Sequence, residues 1–122
     1  MDVGAVIISE GNLKSVLLVH RDIGNKSIVE FPGGTCEIGE LKTCLEEEVE
    51  GDLNADVTAG VEFGEYGGVR LFYASIPKHP EITERVPYYH WYCWEDLQRM
   101  EEGRILSPSV RKAMPVLQPY LQ

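Results

Sequence analysis

Short apolar runs rich in β-branched and aromatic residues recur along the chain and predict strands. The first two runs are joined by the turn-rich segment 9–12 and predict a hairpin, and Gly67-Gly68 predicts a second hairpin further on. A short run also ends at Pro32-Gly33-Gly34, where the backbone must turn or open. The predicted strand segments are 3–8, 16–19, 28–31, 57–66, 69–76 and 86–93.

The apolar period becomes helical between Leu41 and Leu53, and Asn54 follows as a residue that accepts the left-handed cap conformation. A short helix is predicted over 94–100. Ser107-Pro108 is typical of a helix start, and the helix is expected to run towards Leu117, with a kink or an early end at Pro115. Strands mixed with a central and a terminal helix favour an α/β fold with a mixed sheet.

Length and charge restrict the function. The 122 residues predict a single domain over 1–122, and the 43% hydrophobic and 25% charged residues are ordinary for a globular protein. Twenty acidic residues against eleven basic ones give a net charge of −9. This balance argues against nucleic acid and anionic membranes as partners, because the charge that neutralises phosphates is missing. A protein of this charge that handles phosphates needs a cation as an intermediary.

The cysteines and the N-terminus indicate a cytoplasmic location. Cys36, Cys44 and Cys93 cannot all pair within one chain and show no C-x-x-C spacing, so reduced thiols are expected in place of a disulfide framework or a zinc site. A basic leader and a long apolar run are both missing, which argues against a signal peptide and a membrane span.

The acidic helix carries most of the visible chemistry. With Leu41 set at 0°, Glu48 and Asp52 fall at about 340° and about 20°, in the middle of the apolar arc and one turn apart. Two inward carboxylates are costly unless they are compensated, and a divalent cation is the expected partner because it prefers carboxylate oxygens. Gly33 and Gly34 lie just before this helix, where glycines allow a ligand to approach the backbone closely.

These residues resemble the Nudix box, G-x5-E-x7-R-E-U-x-E-E-x-G-U. The segment 31–34 (Phe-Pro-Gly-Gly) is followed by Glu37, by Gly39-Glu40, and by a helix ending in the acidic segment 47–54. The flanking segments 17–21 and 90–97 also resemble those of Nudix domains, so that the resemblance covers nearly the whole chain. It implies a MutT-like fold, an α/β/α sandwich around a mixed β-sheet.

The second half of the box departs from the pattern and makes it degenerate. Six residues instead of seven follow Glu40, and Glu47 stands at the position of the motif arginine. Glu48 matches the first glutamate of this half, whereas Gly51-Asp52 replaces the Glu-Glu pair and Asn54 replaces the closing glycine. Glu47 lies one turn before Gly51, and we consider the hypothesis that its side chain leans into the space of the lost glutamate.

The resemblance implies a metal-dependent pyrophosphohydrolase that acts on a nucleoside diphosphate derivative. Mg²⁺ or Mn²⁺ is expected on Glu48, Asp52 and the carbonyl of Gly34. Glu48 is the candidate base or metal ligand, and Glu47 is a second candidate for a catalytic role. The candidate substrate-binding residues are Arg21, Gly33 and Glu84.

Two other interpretations remain open at this point. The reversed arginine and the missing glutamate suggest a catalytically impaired Nudix-fold domain that binds nucleotide or regulates. The aromatic segment 88–94 suggests a structural homodimer in which this strand forms the interface.

Overall fold

The computed structural model describes residues 1–9, 14–37, 39–77 and 79–122. Strands and helices follow one another along this part of the chain, close to the predicted segments. In chain order they are β1 (Asp2–Val6), β2 (Val16–Ile23), β3 (Lys26–Glu30), β4 (Gly33–Thr35), α1 (Leu41–Leu53), β5 (Thr58–Tyr66), β6 (Val69–Ser75), β7 (Tyr88–Tyr92), α2 (Trp94–Glu102) and α3 (Pro108–Leu121).

The strands form two sheets, with the orders β4-β1-β6-β5 and β3-β2-β7. β1 runs parallel to β6, and the other paired strands are antiparallel, so the arrangement is mixed, as predicted. The predicted second hairpin is confirmed, with β5 and β6 joined at Gly67-Gly68.

Side chains alternate between two cores on either side of the strands. Val3 and Ala5 of β1, together with Val19 of β2, belong to a cluster that includes the inner face of α1. Val6 of β1 and Leu18 of β2 belong to a second cluster with α2 and α3. Because successive strand residues point to opposite faces, this division places helices on both sides. The predicted α/β/α sandwich is therefore confirmed.

The first predicted hairpin is confirmed only at its turn end, where the N–H of Leu17 donates to the carbonyl of Ile7 and the N–H of Ser9 donates to the carbonyl of Ser15. Ile8, just after β1, forms an antiparallel bridge with Val16, the first residue of β2, whereas β1 and β2 themselves lie in different sheets. Both edges of β1 are already occupied, by β4 and by β6, so β2 has no edge left to pair with. Residues 10–12 of the predicted connector lie outside the described residues.

The last helix is longer than its prolines predict. α3 continues through Pro115 and Pro119 as far as Leu121. Pro115 and Pro119 are exposed, whereas Met114 and Leu117 are buried in the core together with the rest of the helix's inner face. The packing of this face outweighs the backbone hydrogen bonds that the prolines remove.

The helix α1 ends as predicted. Asn54 takes the left-handed conformation (φ 48°, ψ 44°), and its N–H donates to the carbonyl of Glu50. No helix in the described part of the chain is long and apolar enough to cross a membrane.

The expectation of reduced thiols is wrong for two of the three cysteines. Cys36 follows β4, Cys44 lies in the first turn of α1, and the two form a disulfide with a Cα–Cα distance of 6.0 Å. The spacing of eight residues carries no recognised motif; the return of the chain from the end of β4 into α1 is what brings the thiols together. Cys93 is a free thiol.

Reduction of this disulfide is expected to lower the free energy of unfolding by about 2.5 kcal/mol, because it frees a loop of this length in the unfolded chain. Urea unfolding with and without dithiothreitol measures the difference. Cys44→Ser should show the same loss and no further response to reductant, whereas the control Cys93→Ser should respond like the wild type. Equal stability of the wild type in both buffers would contradict the disulfide.

Candidate functional site

Asp52 and Glu48 lie one turn apart on α1 and face the sheets. Asp52 is fully buried, among Leu45, Val49 and Leu53 of the same helix. Glu48 lies at the rim, with 29% of its side chain exposed. The helical phase predicts an inward position for both, and the structure places Asp52 deeper than Glu48.

Arg21 reaches Asp52 from β2. Its side chain points to the same face of the strand as those of Leu17 and Val19, which is the face that packs on α1. Its Nη1 donates to Oδ1 of Asp52 at 3.1 Å and its Nη2 to Oδ2 at 2.5 Å, a bidentate pair. Its Nη2 also donates to the carbonyl of Gly33 at 3.0 Å, and its Nε donates to Glu30 at 2.6 Å.

Gly33 completes the surroundings of Asp52. Its N–H donates to Oδ2 of Asp52 at 3.0 Å, while its carbonyl accepts from Arg21. Since Asp52 belongs to α1, Arg21 to β2 and Gly33 to β4, one buried carboxylate joins three elements.

Arg85 is a second guanidinium at this site, and it comes from the loop before β7. Its Nη2 lies 2.5 Å from Oε2 of Glu48, and its Nε lies 3.4 Å from Oδ1 of Asp52. Thr83 fastens the loop to the helix: its hydroxyl donates to the carbonyl of Asp52 at 2.7 Å and accepts from the N–H of Arg85 at 3.2 Å.

Two glycines make room for these charged groups. A Cβ at Gly34 would overlap the carboxylate of Glu48, and a Cβ at Gly51 would overlap Nη1 of Arg85. The position of the lost motif glutamate is therefore filled by Arg85. The hypothesis that Glu47 leans into this space stays a prediction without a contact to support it, since all three heavy atoms nearest to a Cβ at Gly51 belong to Arg85.

Arg21 remains charged within the site. Burial lowers the pKa of Arg21, but the hydrogen bonds and the attraction from Asp52 and Glu30 outweigh that effect, and its pKa is raised overall. In all, the guanidiniums of Arg21 and Arg85 face three carboxylates, those of Asp52, Glu48 and Glu30. This set carries a formal charge of about −1 when all members are ionised.

A groove of about 330 Å³ opens beside the pair. Arg21 and Arg85 line it together with the backbone of β4, and Phe31 forms part of its wall. Its volume is at the lower end of what small-molecule sites occupy, about 300–1,000 Å³.

The donors at this site suit a hard divalent cation in kind. Carboxylate oxygens of Glu48 and Asp52 and the carbonyls of Gly33 and Gly34 are the ligand type that Mg²⁺ and Mn²⁺ prefer. The carboxylates are, however, already paired with guanidiniums, and the described residues contain no group of three or more His, Cys, Asp or Glu side chains arranged to hold a metal. A cation would have to take the place of Arg85 at Glu48.

The remaining predicted residues lie apart from this cluster. Glu47 is exposed and lines a different groove, together with Glu50 and Glu81. Glu84 is exposed on the loop next to Arg85, so its role in substrate binding stays a prediction. Arg85 was missed by the sequence reasoning, and the signal that could have found it is Gly51, since a glycine inside a helix often marks a close approach by another group.

Replacing Asp52 by asparagine should destabilise the fold strongly, because it leaves Arg21 without its buried counter-charge. Breaking a buried pair costs about 3 kcal/mol or more. Urea unfolding of Asp52→Asn measures the loss, with Glu50→Gln on the exposed face of the same helix as the matched control. A loss in Asp52→Asn no larger than that of the control would show that the pair does not hold the site together.

Comparison with known proteins places the fold. No family model matches the sequence, and no curated protein matches it either. A Nudix hydrolase from Nitrosomonas europaea superposes with a TM-score of 0.72 at 18% identity, over 98% of this chain and 88% of its own.

Two further solved structures also superpose on this chain. A MutT protein from Methanosarcina mazei gives 0.72 at 18% identity, over 96% of this chain and 91% of its own. An Ap4A hydrolase from C. elegans gives 0.63 at 16% identity, over 97% of each chain. At these identities the likeness shows the fold, and the layers described above agree with it: the chain has the Nudix hydrolase fold that its sequence resembles.

Proposed function

We propose that the chain is a Nudix-type pyrophosphohydrolase that cleaves the diphosphate linkage of a nucleoside diphosphate derivative. The observation that carries the proposal is the convergence of Glu48 and Asp52 on the backbone of Gly33 and Gly34. Because Gly33 and Gly34 of β4 have no side chains, a cation and a phosphate can both approach the backbone of this strand next to the two carboxylates.

The charges of the site define how a diphosphate would bind. The cluster is slightly negative and the chain as a whole carries −9, so a diphosphate needs a cation to enter. A divalent cation held by Glu48, Asp52 and the carbonyl of Gly34 would supply that charge and neutralise the phosphates. Arg85, which lines the groove and is about half exposed, would offer guanidinium donors to phosphate oxygens once it leaves Glu48, whereas the N–H groups of Arg21 already donate to Asp52, Glu30 and the carbonyls of Gly33 and Arg85.

The two acids would divide the work according to their burial. Asp52 is fixed by Arg21 and by the N–H of Gly33, which suits a group that holds its position. Glu48 is partly exposed and meets solvent at the rim, which suits a base that takes a proton from water. The solved structures that match this fold include an Ap4A hydrolase and an ADP-ribose pyrophosphatase, so the fold by itself selects no single substrate.

A second function is favoured by a specific observation. Arg85 neutralises Glu48 and fills the position of the lost glutamate at Gly51. A site fixed in this state would bind nucleotide without cleaving it, as expected of a catalytically impaired binding or regulatory domain.

Turnover of a panel of nucleoside diphosphate derivatives with Mg²⁺ or Mn²⁺ separates the two functions. We expect hydrolysis by the wild type, and Glu48→Gln should lower kcat by about 100-fold or more because it removes the proposed base. Glu50→Gln, an exposed change of the same kind on the same helix, should leave kcat unchanged.

A rise in melting temperature with a nucleotide, but no turnover with either metal, would support the binding domain instead. Turnover that survives in Glu48→Gln would contradict the role of Glu48. The absence of both turnover and binding would contradict both functions.

A further inference from the structure

Arg85 differs from Arg21 in how firmly it is held. Arg21 is about four-fifths buried and donates to Asp52, Glu30 and the carbonyl of Gly33. Arg85 has 47% of its side chain exposed. Within the described residues, its guanidinium forms ion pairs with Glu48 and Asp52 only. An exposed guanidinium leaves its partner at a smaller cost than a buried one.

The loop does not depend on the side chain of Arg85. The hydroxyl of Thr83 donates to the carbonyl of Asp52, and the N–H of Glu81 donates to the carbonyl of Leu53, so contacts that do not involve the side chain of Arg85 hold the segment against α1. The side chain of Arg85 can therefore turn towards solvent while the loop stays in place.

The guanidinium of Arg85 and a side chain at position 51 exclude each other. The Cβ direction of Gly51 points at Nη1 of Arg85, which is the far end of a flexible side chain. Glycine at this position is thus what allows Arg85 to lie between the two carboxylates.

We propose that Arg85 is an internal counter-cation that competes with a divalent cation for Glu48 and Asp52. The inference rests on the proposed function, in that it takes these acids as the ones that hold the cation. Asp52 is paired with Arg21 in either case, Glu48 is paired with Arg85 as long as no metal is bound, and the cation binds when Arg85 turns outward. Arg85 therefore sets the metal concentration at which the site becomes loaded.

Binding of Mn²⁺ alone, followed by electron paramagnetic resonance without nucleotide, tests this competition. Arg85→Gln should bind Mn²⁺ about tenfold more tightly than the wild type, because an opposite charge in contact with a carboxylate lowers its affinity for a proton by about this factor or more, and Mn²⁺ binds the same oxygens. Arg99→Gln is the matched control: Arg99 is also paired with a carboxylate, Asp96, on α2, and its loss should not change Mn²⁺ affinity.

Gly51→Ala provides an independent test at the same place. The added methyl group displaces the guanidinium of Arg85, so Mn²⁺ binding should again tighten. Alanine also favours the helix over glycine, so that a change in Mn²⁺ affinity in this variant cannot be assigned to partial unfolding.

Mn²⁺ affinity that is unchanged or weaker in Arg85→Gln would overturn the proposal, as would the absence of Mn²⁺ binding in every variant. The outcome is separable from that of the proposed function, because Mn²⁺ affinity is read without substrate. Tighter binding in Arg85→Gln without turnover of any nucleotide would uphold the competition and contradict the hydrolase.

Discussion

The ion pair between Arg21 and Asp52 is the interaction on which the site depends. A carboxylate with no exposed surface has to be paired, because an unpaired buried charge is costly. The partners of Asp52 come from β2 and β4, so the contacts that neutralise its charge also fix the distance between α1 and β4. Glu48, one turn earlier on the same helix, takes its position against Gly34 from this arrangement.

The degenerate second half of the box has a structural counterpart. Where the motif places an arginine and a glutamate, this chain has Glu47 and Gly51, and a positive charge arrives instead from Arg85 on a separate loop. The guanidinium of Arg85 occupies the space that a side chain at position 51 would need. The departures from the motif thus form one local rearrangement of charge, in which an arginine from a loop pairs with acids that are expected to hold a metal ion.

Much of the fold could be predicted because it follows from local periodicity. The bounds of α1, the left-handed cap at Asn54 and the hairpin of β5 and β6 each depend on residues close in sequence. The pairing of β1 was not predictable in this way, since its partners β4 and β6 are chosen by the packing of distant segments.

In the site, too, local sequence patterns predicted some features, whereas tertiary contacts decided the others. Helical phase was sufficient to predict that Asp52 faces inward, but it did not reveal the guanidiniums that pair with the acids, because Arg21 and Arg85 lie far from the helix in sequence. The disulfide between Cys36 and Cys44 was missed for a related reason: the thiols meet only after the chain turns from β4 into α1. Patterns within one element predict which way a side chain faces, whereas its partner is decided by tertiary structure.

Under the proposed competition, Arg85 and a divalent cation are alternative partners of the same two carboxylates. A crystal structure of the wild type soaked in Mn²⁺, with anomalous scattering used to locate the ion, tests it most directly. We expect Mn²⁺ on Glu48 and Asp52 and the side chain of Arg85 turned towards solvent. Arg85 still bound to Glu48, with Mn²⁺ elsewhere or not bound, would contradict it.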